Sequence, residues 1–244
     1  MSTTKRQEQI LELLRENRSL TVTKLSELTY TSASSIRRDL TRLENMYLLK
    51  RTHGGATIVS ESGEAPNFAN RMGENIMGKK RIAKKASALI EDGMSVMLDG
   101  SSTAAYLVPH LAAHKGITLF TNNMLTAISA INYGIKTHCI GGESLHGSAV
   151  LSGTAAYNAI NDIHPDILFF SSRAIDRDGV ISDPTAEENY LRSLMLRNAA
   201  LKVFLCDSEK FGKRALHRLT TIGEMDAAVF DKPYDELDTS CRIL

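Results

Sequence analysis

Two sets of residues in this chain have types and spacing that could do chemistry, and each suits a different partner. The first is cationic. Ser34, Ser35, Arg37, Arg38, Arg42, Lys50, Arg51 and His53 all fall within SASSIRRDLTRLENMYLLKRTHGGA, the stretch from Ser32 to Ala56. A guanidinium fork fits O6 and N7 of guanine in a major groove, while cations, hydroxyls and backbone N–H groups hold a protein on phosphates. Double-stranded DNA is the partner such a set selects. The second set is mixed: Asp99, Ser101, Ser102 and Thr103, then Thr121 and Asn122, Gly141 and Gly142, Arg173 and Asp176, and finally Lys210. Hydroxyls and free N–H groups at a helix start favour a phosphate. Carboxylates and amides suit sugar hydroxyls, and Lys210 supplies a compact positive charge for an anion. That set points to a small polar ligand.

The elements that must carry the cationic set can be read from apolar spacing. Ile36, Leu40 and Leu43 fall at i, i+4 and i+7, so a helix from about Ala33 to Met46 turns one side to a core and leaves its arginines on the other. Upstream, Leu25 and Leu28 close a short helix beginning near Thr23, and Thr29 to Ser32 form a turn whose last serine can cap the next helix. Short helix, turn and arginine-bearing helix give the helix-turn-helix order. Leu48 to Gly55 then reads as a wing, two short strands with a basic tip. Ile10, Leu13 and Leu14 stripe a first helix that packs beneath. A solvated helix face beside a glycine turn would explain lone arginines; the whole succession favours DNA.

From Met94 onward, short apolar runs alternate with helical stretches. The runs are 94–99, 117–121, 135–140, 166–172, 201–206 and 227–230, with helices near 103–113, 123–133, 154–163 and 185–199. Alternation of this kind predicts an α/β domain with a mostly parallel, doubly wound sheet, whose ligands bind at the carboxyl ends of strands. The mixed set lies at those ends. Taken singly, Asp99 to Thr103 could be a strand-to-helix turn with a serine cap, and Gly141-Gly142 a tight turn; their convergence on one sheet edge favours a ligand. The expected organisation is therefore a winged helix-turn-helix domain over 1–58, a linker over 59–78 around the polar Ser60 to Pro66, and an effector domain over 79–244, opening with an amphipathic helix from Lys79 to Ile90 whose outer face is basic.

Composition bounds the function. Of 244 residues, 43% are hydrophobic and 23% charged, enough to bury two cores, and the formal net charge is +1. That value hides an asymmetry: residues 1–85 hold 16 Lys and Arg against 9 Asp and Glu, and the remainder 13 against 19. A polyanion therefore meets the N-terminal part. Cys139, Cys206 and Cys241 form no disulfide framework and no metal quartet, Cys139 and Cys206 lying in apolar runs expected to be core. His110 and His114 share a helix face without a third metal ligand. No metal, cofactor, P-loop or nucleophile elbow is expected. The start of the chain lacks a signal-peptide core and no apolar run is long enough for a membrane span, so the expected location is the cytoplasm.

IRRDLTRLENMYLLKRTHGGA resembles the signature of DeoR-family bacterial transcription regulators, in which an arginine pair, spaced leucines and a closing Arg-x-His-Gly-Gly-Ala recur in this order. Tyr47 stands where that family usually has glycine. Pro66, Phe68 and Arg71 match a linker pattern of the family. Asp99, Ser102 and Thr103 match its Asp-x-Gly-Ser/Thr-Thr loop, with Ser101 in the glycine place, and Lys210 matches the lysine of its Asp-Ser-Ser-Lys-Phe segment. Ser171-Ser172-Arg173 replaces a glycine-containing stretch, so that Arg173 either adds charge to the ligand site or plugs it. The resemblance implies a C-terminal sensor that looks like ribose-5-phosphate isomerase and binds a phosphorylated sugar. The expected function is then a repressor of a carbohydrate or polyol catabolic operon, a non-enzyme acting as a homo-oligomer, dimer or tetramer, on paired operator half-sites. The alternative is a sugar-phosphate isomerase-like enzyme fused to a DNA-binding domain, with Asp99, Glu143 or Asp176 as its base.

Overall fold

The computed structural model describes residues 5–45, 49–57, 68–145, 148–237 and 239–244. Tyr47 and the Ser60 to Pro66 connector lie outside these. The chain divides into two compact units, Met1–Glu74 and Asn75–Leu244.

In the first unit the order is α1 (Lys5–Asn17), β1 (Ser19–Thr21), α2 (Val22–Leu28), α3 (Ala33–Asn45), β2 (Lys50–Thr52), β3 (Gly55–Thr57) and α4 (Phe68–Gly73). The span expected as a linker thus holds α4. Thr21 starts α2, its side chain accepting from the Lys24 N–H at 3.2 Å. Ser32 starts α3, its carbonyl accepting from Ile36 N–H at 3.0 Å and its hydroxyl from Ser35 N–H at 3.4 Å. Ile10, Leu14, Leu25, Ile36, Leu40 and Leu43 are all fully buried in one cluster, as the heptad-like spacing requires. Truncating such a leucine to alanine costs about 2–5 kcal/mol. The wing is larger than expected: β3 pairs antiparallel with both β2 and β1, giving the order β1-β3-β2. Gly55 makes this possible, since a Cβ there would stand 2.3 Å from the Leu20 carbonyl oxygen.

The second unit opens with α5 (Ile76–Ala86) and continues through β4 (Ser95–Leu98), α6 (Ser102–Ala105), α7 (Val108–Leu111), β5 (Thr118–Thr121), α8 (Met124–Asn132), β6 (Lys136–Cys139), β7 (Glu143–Ser144), β8 (Leu151–Ser152) and α9 (Thr154–Asn161). Then follow β9 (Ile167–Phe170), β10 (Ala174–Ile175), β11 (Val180–Asp183), α10 (Ala186–Asn198), β12 (Leu201–Cys206), β13 (His217–Thr221), β14 (Ala227–Phe230) and β15 (Arg242–Ile243). Seven strands form one parallel sheet in the order β15-β14-β12-β9-β4-β5-β6. Both faces are covered, because successive residues alternate between two cores: Val96, Leu98, Ile167 and Phe169 enter one, and Met97, Leu168, Phe170 and Phe204 the other. The chain runs from β4 outward to β5 and β6, then returns across β4 to β9. The direction of winding reverses between β4 and β9, which is where a doubly wound sheet opens a crevice.

Three departures from expectation have local causes. The helix expected over 103–113 is two one-turn helices, with Pro109 in the first turn of α7, where its missing N–H is tolerated only at a fresh helix start. Cys139 is exposed rather than core, because β6 is the sheet's edge strand. An antiparallel sheet β10-β11-β13 and a β7-β8 hairpin are added to the parallel one; their strands are too short for alternation to announce them.

Candidate DNA face and effector site

On α3 the arginine face is free of the core. Ser34, Arg37, Arg38, Thr41 and Arg42 are exposed and Ser35 is half-buried, while Ile36, Asp39, Leu40 and Leu43 are buried. Asp39 escaped the sequence reading. Its carboxylate accepts from Arg6 Nε at 2.5 Å and from Gln7 Nε2 at 3.0 Å, tying α3 to α1. The hydrogen bond that Arg6 donates to Asp39 outweighs desolvation and holds the Arg6 guanidinium more firmly protonated. A lone carboxylate on the apolar side of α3 was the available signal, since a buried acid needs donors. The wing is tied to α3 as well: Arg51 N–H donates to Glu44 Oε1 at 2.9 Å, and Arg51 Nη1 donates to Thr41 Oγ1 at 3.0 Å. Arg51 and His53 are exposed, and Lys50 lies on β2. One rigid surface therefore carries the helix and wing cations.

At the reversal between β4 and β9, Lys210 is the hub. It stands at the end of a 3-10 turn, Ser208–Lys210, after β12. Its Nζ donates to Ser171 Oγ at 2.9 Å and to Thr103 Oγ1 at 3.4 Å, and lies 3.1 Å from Asp207 Oδ2. Burial pushes the Asp207 carboxyl up, but Lys210, Lys79 and an Asn75 hydrogen bond together hold it below the usual carboxylate range. Both lysines thus favour the ionised Asp207 carboxylate. The expected helix-dipole contribution shrinks, because α6 is a single turn. Ser101 is its cap, its hydroxyl accepting from Ala104 N–H at 3.2 Å; Ser102 and Thr103 are buried beside it.

A second group, absent from the sequence reading, adjoins the first through the 99–103 segment. Arg192, buried on α10, donates from Nε to Asp99 Oδ2 at 2.8 Å, from Nη1 to Asp183 Oδ2 at 2.8 Å and from Nη2 to Glu188 Oε2 at 2.9 Å. Burial lowers the Arg192 pKa and the three carboxylates more than reverse that, so it stays charged. This network floors a small, open cleft whose walls include Asp99, Asn122, Ser152, Glu188 and Arg192. Asn122 donates from Nδ2 to the Leu151 carbonyl at 3.0 Å, and its Oδ1 has no hydrogen-bond partner among the described residues. Thr121 uses its hydroxyl to accept from Asn123 N–H at 3.2 Å.

The other expected ligand residues have partners of their own or lie at close approaches. Asp176 closes the β10–β11 turn, accepting from Val180 N–H at 2.9 Å, and pairs with Arg214. Burial opposes ionisation there, and the Val180 and Arg214 bonds overcome it. Gly142, at φ +135°, comes so close to β8 that a Cβ would lie 2.3 Å from the Ser152 oxygen, and Gly141 is open to solvent. Arg173 is half-buried and its N–H donates to Asp183 Oδ2 at 3.2 Å. Neither His110 nor His114 joins a metal-binding group among the described residues.

A basic helix-and-wing face on one unit and a doubly wound sheet on the other are the two parts of a DNA-binding regulator. The DeoR-like helix-turn-helix domain model matches residues 6–62 and the DeoR C-terminal sensor domain model residues 74–232. The chain belongs to the DeoR family of transcriptional regulators. It is 33% identical over 227 residues to the HTH-type transcriptional regulator GolR of Listeria innocua, covering 93% of this chain and 89% of that one. It is 28% identical over 240 residues to the lactose phosphotransferase system repressor of Staphylococcus aureus, covering 97% and 95%. It is 30% identical over 242 residues to the L-fucose operon activator of Haemophilus influenzae, covering 97% and 96%. A solved ribose 5-phosphate isomerase A from Methanocaldococcus jannaschii resembles it at TM-score 0.43 and 19% identity, over 57% of this chain and 55% of that one. No helix among the described residues is long and apolar enough to cross a membrane.

Proposed function

We propose that this regulator represses a carbohydrate or polyol catabolic operon in the cytoplasm, holding operator DNA through α3 and the wing and releasing it when a phosphorylated sugar enters the crevice between β4 and β9. The observation that carries this reading is the Lys210 hub: a part-buried ammonium with two hydroxyls at the reversal of the sheet. Binding without turnover fits the carboxylates there. Asp99 is engaged by Arg192 Nε and by Ser101 N–H, and Asp176 by Arg214, so neither is poised to take a proton from a sugar carbon. For the ligand to regulate, its affinity must differ between DNA-competent and DNA-incompetent states, typically by about 1–3 kcal/mol.

The regulator acts as a homo-oligomer in this reading. Met124, Ile128 and Ile131, at i, i+4 and i+7 of α8, are exposed beside the edge strand β6, and no charged residue occurs from Ile117 to Ile135. A second copy meets no like charge on that stretch, and a two-fold pairing covers both the stripe and the strand edge.

The test is a gel shift on operator DNA titrated with sugar phosphates and their free sugars. One phosphate ester should release DNA where its free sugar does not, and Lys210→Ala should bind DNA normally yet ignore that ester. A titration of Lys210→Ala superimposing on the parent would remove Lys210 from the site.

A further inference from the structure

The chain passes from the first unit to the second between α4, which ends at Gly73, and α5, which begins at Ile76, so only Glu74 and Asn75 separate the two helices. Asn75 holds φ 40° and ψ 48°, in the left-handed region, whereas a helix cap ordinarily keeps an extended backbone. Asparagine tolerates that region because its short amide can bond nearby, and both ends of this amide are engaged. Oδ1 accepts from Gly78 N–H at 3.2 Å, which is all that capping requires. Nδ2 goes further and donates to Asp207 Oδ1 at 3.4 Å, 132 residues along the chain. Gly78 admits the amide, since a Cβ there would stand 2.6 Å from both Asn75 Oδ1 and Nδ2. The other oxygen of Asp207, Oδ2, lies 3.1 Å from Lys210 Nζ. One buried carboxylate thus joins the junction residue to the ammonium of the Lys210 hub. A second tie runs beside it: Arg81 of α5 donates to Asp231 Oδ2 at 3.1 Å, and Asp231 Oδ1 accepts from Ser208 N–H at 2.7 Å.

Resting on the reading of Lys210 as the residue that holds the effector's phosphate, we infer that Asn75 is the positioning residue through which the arrival of that phosphate reaches the DNA-binding unit. A phosphate on Lys210 engages the cation that faces Asp207 Oδ2 and brings a like charge beside a carboxylate that is 2% exposed. Water screens such repulsion poorly at a buried site, so the carboxylate gives way. Its displacement is carried to its other oxygen, which Asn75 holds. The amide cannot follow while its Oδ1 stays on Gly78 N–H, so the left-handed torsions at the junction relax. Those torsions are the ones by which the chain leaves α5 for α4, and the signal then lies on the DNA-binding side.

The experiment measures the coupling itself on the full chain, with operator DNA selected by the parent protein from random duplexes. Hexose 6-phosphates, pentose 5-phosphates and inorganic phosphate are the probes. For the ester that releases the parent from this DNA, Kd is measured with and without saturating DNA; the two values must differ by the coupling factor, typically about 5–150-fold. Asn75→Gly takes the left-handed backbone at no steric cost and is a tolerable cap, but it has no amide for Asp207. It should bind DNA and the ester, each alone, as the parent does, with the coupling factor reduced to within about twofold of one. Asn75→Asp keeps an acceptor for Gly78 N–H and faces Asp207 with a like charge, so it should weaken DNA binding several-fold with no ester present. A role confined to capping α5 would lower the melting temperature and leave the coupling factor intact. A factor in Asn75→Gly equal to the parent's, or unchanged DNA affinity in Asn75→Asp, overturns the inference and leaves the effector reading standing. If no phosphate releases the parent, the effector reading falls and the inference with it.

Discussion

Replacing Asp39 by alanine tests whether a buried polar tie aims the recognition helix. Asp39 is buried at the α1–α3 contact and accepts from two side chains of unlike exposure. Arg6 is 43% exposed in its side chain, so water replaces its lost partner and the loss is at most about 1 kcal/mol. Gln7 is 2% exposed, and loss of its buried bond to Asp39 costs about 1–3 kcal/mol. A total of about 1–4 kcal/mol follows, and in a unit of this size each kcal/mol lowers Tm by about 4–8 °C. Calorimetry of the intact protein should show the transition of the first unit fall by roughly 4–30 °C. Asp39→Asn retains an acceptor for Gln7 and gives up only the charge opposite Arg6, so it should lose less than about 1 kcal/mol. Operator affinity should drop in Asp39→Ala with no change in its dependence on salt, because no phosphate contact has been removed. A loss below about 1 kcal/mol, or Asn behaving like Ala, would mean that the tie is solvated and that the leucine stripe alone sets the angle of α3.

Further expectations separate contact from support. Arg37→Ala should abolish operator preference in a gel shift, while Arg42→Ala should flatten log affinity against log salt by about 0.9 if it meets one phosphate; preference retained without Arg37 would move recognition elsewhere. Gly142→Ala must strain a backbone at φ +135° and push against the Ser152 oxygen, so the second unit should lose about 1–3 kcal/mol in urea unfolding, and an unchanged midpoint would refute the close approach. The Asp207 carboxyl is held below its ordinary value in the fold, so its stabilisation is full above the unfolded pKa near 3.9 and is lost as pH falls through the folded one; urea midpoints from pH 6 down to 3 should fall more steeply for the parent than for Asp207→Asn, and parallel profiles would refute the pairing. Ile128→Glu should reduce the mass measured by light scattering to a smaller assembly, and an unchanged mass would clear α8 of the interface.

What could be read from the sequence and what could not divides by the distance over which the deciding contact acts. Leu40 and Leu43 announce α3 because burial of a stripe depends on neighbours one turn away, and LKVFLC announces β12 because a strand covered on both faces must be apolar throughout. Ser32 and Thr21 announce helix starts for the same local reason. Asp39 finds its donors 32 and 33 residues away, and Arg192 reaches Asp99 across 93; nothing local distinguishes these from solvated charges except that each interrupts an apolar face. That interruption is the usable signal. A charge set among leucines on α3 or α10 must be neutralised by a partner the fold brings to it, and one oxygen of Asp99 is engaged by Arg192 in this way. The Arg192 cluster could be recognised only once β4, β11 and α10 had been placed side by side.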